Sequence, residues 1–175
     1  MSSSSNHKAI VKLLFIKGAN VNAEGGEYGN AVQAALCQGN TAIIQLLIEK
    51  EANINSQGGR YGNALQAASN GGHGTIVKLL LKKGADVNAQ GGRYGNALQA
   101  ASYRGYEAIA KLLIENGANV NAQIGQYENA LQAASHEGHN AIVQLLIDKG
   151  AEVNAQGGEY GNALQAALNG SHETI

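Results

Sequence analysis

The 175-residue chain carries 12 Lys and Arg against 13 Asp and Glu, a formal charge of −1, and charged residues make up only 14% of it. A protein built to hold a phosphate backbone carries a basic excess or stripe, and a bilayer-spanning helix needs ~20 consecutive apolar residues; runs such as Leu79-Leu80-Leu81 fall far short. The single cysteine, Cys37, excludes an internal disulfide framework and leaves no CxxC pair for zinc or redox chemistry.

In chain order, Met1 to Asn6 is a short serine tract with no apolar segment of a signal peptide. A cytoplasmic or other reducing intracellular location is therefore expected. Residues 10–23 then supply an apolar-striped helix ending in a Gly-Ala-Asn-Val-Asn-Ala loop, and the same block returns at 43–56, 76–89, 109–122 and 142–155. Its apolar residues, such as Ile109, Leu112 and Leu113, fall at i, i+3, i+4. Between these blocks stands a glycine-rich turn followed by a short alanine-rich helix. It reads GGEYGNAVQAA from Gly25, GGRYGNALQAA from Gly58 and Gly91, IGQYENALQAA from Ile124 and GGEYGNALQAA from Gly157.

Each Asn before the alanine stretch (Asn30, Asn63, Asn96, Asn129, Asn162) is positioned as an N-cap, whose side-chain oxygen accepts from the first-turn amides. Glycines at 39, 72, 105 and 138 end the first helix. Gly84, Gly117 and Gly150 suit the left-handed position after the second, where Glu51 stands in one unit and is expected to fray. Self-similarity at one fixed period predicts a stacked array, because a single unit cannot bury its own apolar face.

These blocks resemble the ankyrin repeat over essentially the whole chain. Gly72-His73, Gly138-His139, the Ile-Val-x-Leu-Leu core and Gly84-Ala85-Asp86-Val87-Asn88-Ala89 carry the likeness. The family's Thr-Pro-Leu-His segment is replaced by Asn63-Ala64-Leu65-Gln66 and its copies, with Gln retaining a donor and an acceptor between loops. The GG-x-YGNALQAAS wording resembles ankyrin arrays of filamentous fungi, where such arrays form the sensor end of NACHT-type receptor-like proteins. It is also compatible with a consensus design. The resemblance implies an all-α solenoid of stacked helix-turn-helix units with hairpin-like loops. One array spans 1–175: a half repeat at 1–24, full repeats at 25–57, 58–90, 91–123 and 124–156, and a truncated repeat at 157–175, whose second helix begins at His172–Ile175. Neither end carries a polar capping unit, so end-to-end self-association is expected.

Catalysis, metal and cofactors are not expected. The glycine runs lack the Gly-Lys-Ser/Thr of a phosphate loop. His136 and His139 form an HxxH interrupted by Gly138, without a third ligand nearby. His7, His73, His139 and His172 share a column, but neighbouring units stack ~8–10 Å apart, too far for one ion. The resemblance implies that these histidines bond locally at the start of the second helix. Tyr28, Tyr61, Tyr94, Tyr127 and Tyr160 recur unchanged, as a structural ladder would. Columns that differ between units are the candidates for recognition. They are the hairpin tip (Glu27, Arg60, Arg93, Gln126, Glu159), the end of the first helix (Cys37, Asn70, Tyr103, His136, Asn169) and the position after it (Gln38, Gly71, Arg104, Glu137, Gly170). By resemblance, tips and first helices line a concave groove that takes partners. Tyr and Arg dominate interface energetics, which selects Arg60, Arg93, Tyr103, Arg104, Tyr106, His136 and Glu137 as the contact set for a protein partner with an acidic segment.

Overall fold

A computed structural model describes residues 3–170, so Met1, Ser2 and the expected helix start at His172–Ile175 lie outside the described residues. Helix α1 (Ser3–Ile16) is followed by a minimal hairpin of β1 (Glu24–Gly25) and β2 (Gly29–Asn30), then α2 (Ala31–Cys37) and α3 (Thr41–Glu49). The helix pairs α4 (Ala64–Asn70) and α5 (Gly74–Lys82), α6 (Ala97–Arg104) and α7 (Glu107–Glu115), and α8 (Ala130–His136) and α9 (Asn140–Asp148) repeat the pattern, and α10 (Ala163–Gly170) closes the described chain. The protein is a mostly helical solenoid of stacked short helices, as the periodicity predicts.

Local chemistry accounts for the helix boundaries. All five cap asparagines take extended backbone or accept at Oδ1 from the amide three residues on: Gln33, Gln66, Gln99, Gln132 and Gln165, at 2.8–3.0 Å. The hairpin pairs Glu24 with Asn30 and Gly25 with Gly29, and shrinks in later units to single bridges at Gly58–Gly62, Gly91–Gly95 and Gly157–Gly161. In the 124–156 unit Ile124 and Glu128 replace two of these glycines, and a 2.6 Å bond from the Ile124 amide to the Glu128 carbonyl closes the turn.

The core is a continuous column. Leu65, Leu98 and Leu131 of the first helices are almost wholly buried against Ile76, Ile109 and Ile142 of the second. The first helices have alanine at most contact positions and pack closely on one another, whereas the second helices meet less.

After each second helix, Gly84, Gly117 and Gly150 occupy the left-handed region at φ 87–89°, and Glu51 is held there at φ 59°. A side chain in that region costs roughly 1–2 kcal/mol. Replacing Glu51 by glycine is therefore expected to stabilise the array by about 1 kcal/mol. Amide exchange measures it: Lys50, Glu51 and Ala52 should exchange faster than Lys83, Gly84 and Ala85 in the parent, and at the same rate in the variant.

Candidate recognition surface

The surface is built on a buried ladder of glutamines. Gln66 Nε2 donates to the carbonyls of Gly91 and Gly95, both at 3.0 Å, in the next unit's hairpin. Gln33 reaches the Gly62 carbonyl at 3.1 Å and Gln99 the Glu128 carbonyl at 2.9 Å. Oriented to satisfy both ends of its amide, Gln132 donates to Tyr127 at 3.0 Å and Gly157 at 3.3 Å. The Oε1 atoms of Gln33, Gln66 and Gln99 are buried without a hydrogen-bond partner. Instead they meet the Cα–H of Gly29, Gly62 and Gly95, where an added Cβ would collide with them, a weak contact that still favours the oxygen. Each hairpin is thus hung from the first helix of the unit before it.

This hanging aligns the tips. The Arg60 amide donates to the Glu27 carbonyl (3.0 Å), the Arg93 amide to the Arg60 carbonyl (3.2 Å) and the Glu159 amide to the Gln126 carbonyl (3.4 Å). On the outer side a second ladder was not anticipated from the sequence. Asn55, Asn88 and Asn121 donate to the carbonyls of Gly84, Gly117 and Gly150 (2.9–3.1 Å) and accept from the amides of Asp86, Asn119 and Glu152 (2.8–3.0 Å). The Asn in every Val-Asn-Ala or Ile-Asn-Ser loop was the available signal.

Below the tips lies an aromatic row. Helical side chains lean toward their own N-terminus, so Tyr103, near the end of α6, reaches back to the hairpins. Its ring stands 5.3 Å from that of Tyr94 and 5.0 Å from that of Tyr127. His136, its counterpart in α8, lies 5.8 Å from Tyr127 and 4.5 Å from Tyr160, and Tyr127 and Tyr160 stack at 6.0 Å. In this half of the array the two columns interleave: Tyr94 and Tyr127 are buried, and the half-buried Tyr103 and His136 of the variable column are wedged against them. Toward the N-terminus smaller residues fill the same gaps. Cys37 stands beside Tyr61, and Asn70 Oδ1 accepts from Arg104 Nε at 2.9 Å.

Each arginine lies over a neighbouring tyrosine: Arg60 over Tyr61 and Arg93 over Tyr94 at 5.8 Å, Arg104 over Tyr103 at 5.7 Å. Glu137 pairs with His136 Nδ1 at 2.8 Å. Rings thus connect Arg93, Tyr103, Arg104, His136 and Glu137, while Arg60 stands one unit earlier with its own tyrosine. Tyr106 is not joined to this row. It begins α7 with its ring against Gly72, in the column of His73 and His139.

That column corrects one expectation. His73 Nε2 donates to the Leu36 carbonyl and His139 Nε2 to the Tyr103 carbonyl, each at 3.0 Å. The histidines bond back to the preceding unit rather than locally, because their rings stack over its turn glycines, Gly39 and Gly105.

Burial pushes the Tyr127 phenol well above its usual range, reinforced by its hydrogen bond with Tyr103. Tyr160 is raised by burial and then by the nearby carboxylates of Glu159 and Glu137. Burial likewise raises the Cys37 thiol, partly offset by Tyr61, which leaves it poorly suited to act as a thiolate nucleophile. Among the described residues no three His, Cys, Asp or Glu side chains lie together as metal ligands, and no helix is long and apolar enough to cross a membrane.

A stack of short helix pairs, tied unit to unit by buried amides and presenting aromatic and arginine side chains from its hairpins, defines a repeat-type recognition scaffold. The chain belongs to the ankyrin repeat family: the family pattern for ankyrin repeats (3 copies) matches at residues 1–91, 35–124, 66–157 and 97–175. No curated protein matches it. Ankyrin repeat domains are non-catalytic scaffolds with a general role in protein–protein interaction, and this chain is one of them.

Proposed function

We propose that the array binds a protein partner along the face of its hairpin tips and first helices, using Arg60, Arg93, Tyr103, Arg104, His136 and Glu137, with Tyr106 contributing from the start of the adjoining α7. The observation that carries this reading is that the half-buried Tyr103 and His136 are locked against the buried rings of Tyr94 and Tyr127, with the exposed Arg93 and Arg104 laid on tyrosine rings. Aromatic and arginine side chains held in fixed positions lose little freedom on association, so more of the contact energy appears as affinity. The partner offers an acidic segment to the arginines. The GG-x-YGNALQAAS wording supports a place in the sensor region of a fungal receptor-like protein acting in the cytoplasm.

The test is affinity capture from a cell lysate followed by mass spectrometry, comparing the parent with a Tyr103→Ala/Arg104→Glu variant. Circular dichroism establishes that both are folded. A partner retained by the parent and lost by the variant is the expected result. Capture of the same set by both sinks the reading.

One observation favours a second reading, a spacer that assembles end to end. A cleft of about 750 Å³ opens between α1, α2 and α3, lined by Ile10, Leu14, Phe15, Ala34 and Leu47. Leu164 in α10, at the other extremity, is 70% exposed. Capture of the chain by itself alone, in a concentration-dependent manner, would support that alternative.

A further inference from the structure

The cations of this chain are sorted by type. Its twelve basic residues are three arginines and nine lysines. All nine lysines lie on, or within two residues after, the second helices of their units, from α1 to α9. Arg60, Arg93 and Arg104 alone occupy the hairpin tips and first helices.

The three are held alike. Each guanidinium lies over a tyrosine ring at 5.7–5.8 Å, and Arg104 is further fixed by Asn70. A planar cation with its face on a ring keeps its edge N–H groups for a planar anion, a geometry that lysine lacks. Among the described residues no carboxylate stands within ion-pair distance of any of them; the only such pair joins His136 and Glu137. Arg60 and Arg93 are also immediate neighbours, the amide of one bonded to the carbonyl of the other at 3.2 Å. Like charges side by side raise the energy of the unbound protein, and an anion between them removes that cost.

The ends of the tip column carry the opposite sign. Glu27 precedes Arg60 and is bonded to it through the backbone, and Glu159 accepts from the Gln126 side chain at 2.8 Å. Glu137 lies beside His136 on the same side as Glu159, whose carboxylates both act on the Tyr160 phenol. Along the stack the surface reads negative, positive, positive, neutral, negative.

We infer that this surface selects a partner segment of matching pattern: an extended peptide with consecutive carboxylates at its centre, against Arg60, Arg93 and Arg104, and basic residues at its ends, against Glu27 and the Glu137–Glu159 pair. The inference rests on the proposed recognition face and specifies what that face selects. The negative ends reject a uniformly anionic strand, so selectivity comes from repulsion at the edges as well as attraction at the centre.

Fluorescence anisotropy with labelled peptides tests it. The probes are a glutamate run flanked by lysines, an all-glutamate peptide of equal length, and a scramble of the first; single-stranded DNA is the non-peptide polyanion. The patterned peptide is expected to bind most tightly and to weaken as salt rises. An Arg60→Gln/Arg93→Gln variant should bind it about tenfold less tightly, at roughly fivefold or less for each partly exposed charge. A Glu27→Lys/Glu159→Lys variant should shift preference to the all-glutamate peptide. Equal affinity for patterned and scrambled peptides overturns the inference, as does DNA binding that matches or exceeds peptide binding. If the peptides do not discriminate but Tyr103→Ala/Arg104→Glu still abolishes lysate capture, the charge pattern falls and the recognition face stands. A patterned-peptide preference lost in Arg60→Gln/Arg93→Gln, with lysate capture unaffected by Tyr103→Ala/Arg104→Glu, upholds the pattern and removes the aromatic row from the reading.

Discussion

Gly62→Ala is expected to destabilise the array by about 2–5 kcal/mol, much more than Gly84→Ala, although both glycines have nearly the same backbone, φ 89° and 87°. At Gly84 a methyl group would meet nothing within 4 Å, so only the left-handed strain of roughly 1–2 kcal/mol applies. At Gly62 the same methyl would collide with Gln66 Oε1 and stand 2.8 Å from the Gly91 carbonyl carbon, in the backbone of the next hairpin. Gln66 cannot swing away without releasing the carbonyls of Gly91 and Gly95, and stranding buried polar groups costs about 1–3 kcal/mol. The chain shows what yielding looks like. Glu128 places a Cβ at this position with φ 62°, and the Gln132 amide turns to the Tyr127 and Gly157 carbonyls, so it no longer meets the hairpin carbonyl at position 161 that corresponds to Gly95. Urea denaturation of the two variants gives the comparison; equal losses would mean that the glutamine ladder carries no stability.

Leu98→Ala and Leu164→Ala test stacking itself. Both leucines occupy the second position of an Ala-Leu-Gln-Ala-Ala helix, so local propensity is the same. Leu98 is 1% exposed between neighbouring units, and Leu164 is 70% exposed on α10. Truncation of the first removes buried methyl groups and leaves a cavity, a loss of about 2–5 kcal/mol. Truncation of the second should change stability by less than about 0.5 kcal/mol. The difference measures what one unit contributes by covering its neighbour. A large loss at Leu164 would mean that α10 is covered in solution, which favours end-to-end assembly.

The repeat made the fold readable before any coordinates. Recurrence aligned the asparagine caps, the leucine stripes and the terminating glycines, and each has a local cause that a single sequence displays. Contacts between units were less legible. That Gln66 replaces a histidine between loops was foreseeable from its donor and acceptor, but the parallel role of Asn55 and Asn88 was not read, because a polar residue in a polar loop looks solvated. The histidine column was misjudged for a related reason. A ring beside a helix start suggests a local bond, and only stacking brings the Leu36 carbonyl to His73. For the candidate site, comparing columns selected Tyr103 and His136 as variable. It did not reveal that they fill the gaps of the constant tyrosine column, since Tyr94 and Tyr103 stand nine positions apart in the sequence and only side-chain direction joins them.

The amide ladders also bear on how such a gene changes. Gln66 and Asn88 reach no further than the unit that follows, and the groups they meet there recur in the unit after that. Excision of one whole 33-residue period, as unequal crossing-over between near-identical segments produces, would join a donor to an equivalent acceptor and keep the ladders continuous. A deletion of any other length would break register at the junction. What whole-unit loss alters is the order of tip residues, so exchange among copies rewrites the pattern of Glu27, Arg60, Arg93, Gln126 and Glu159 while the scaffold is inherited unchanged.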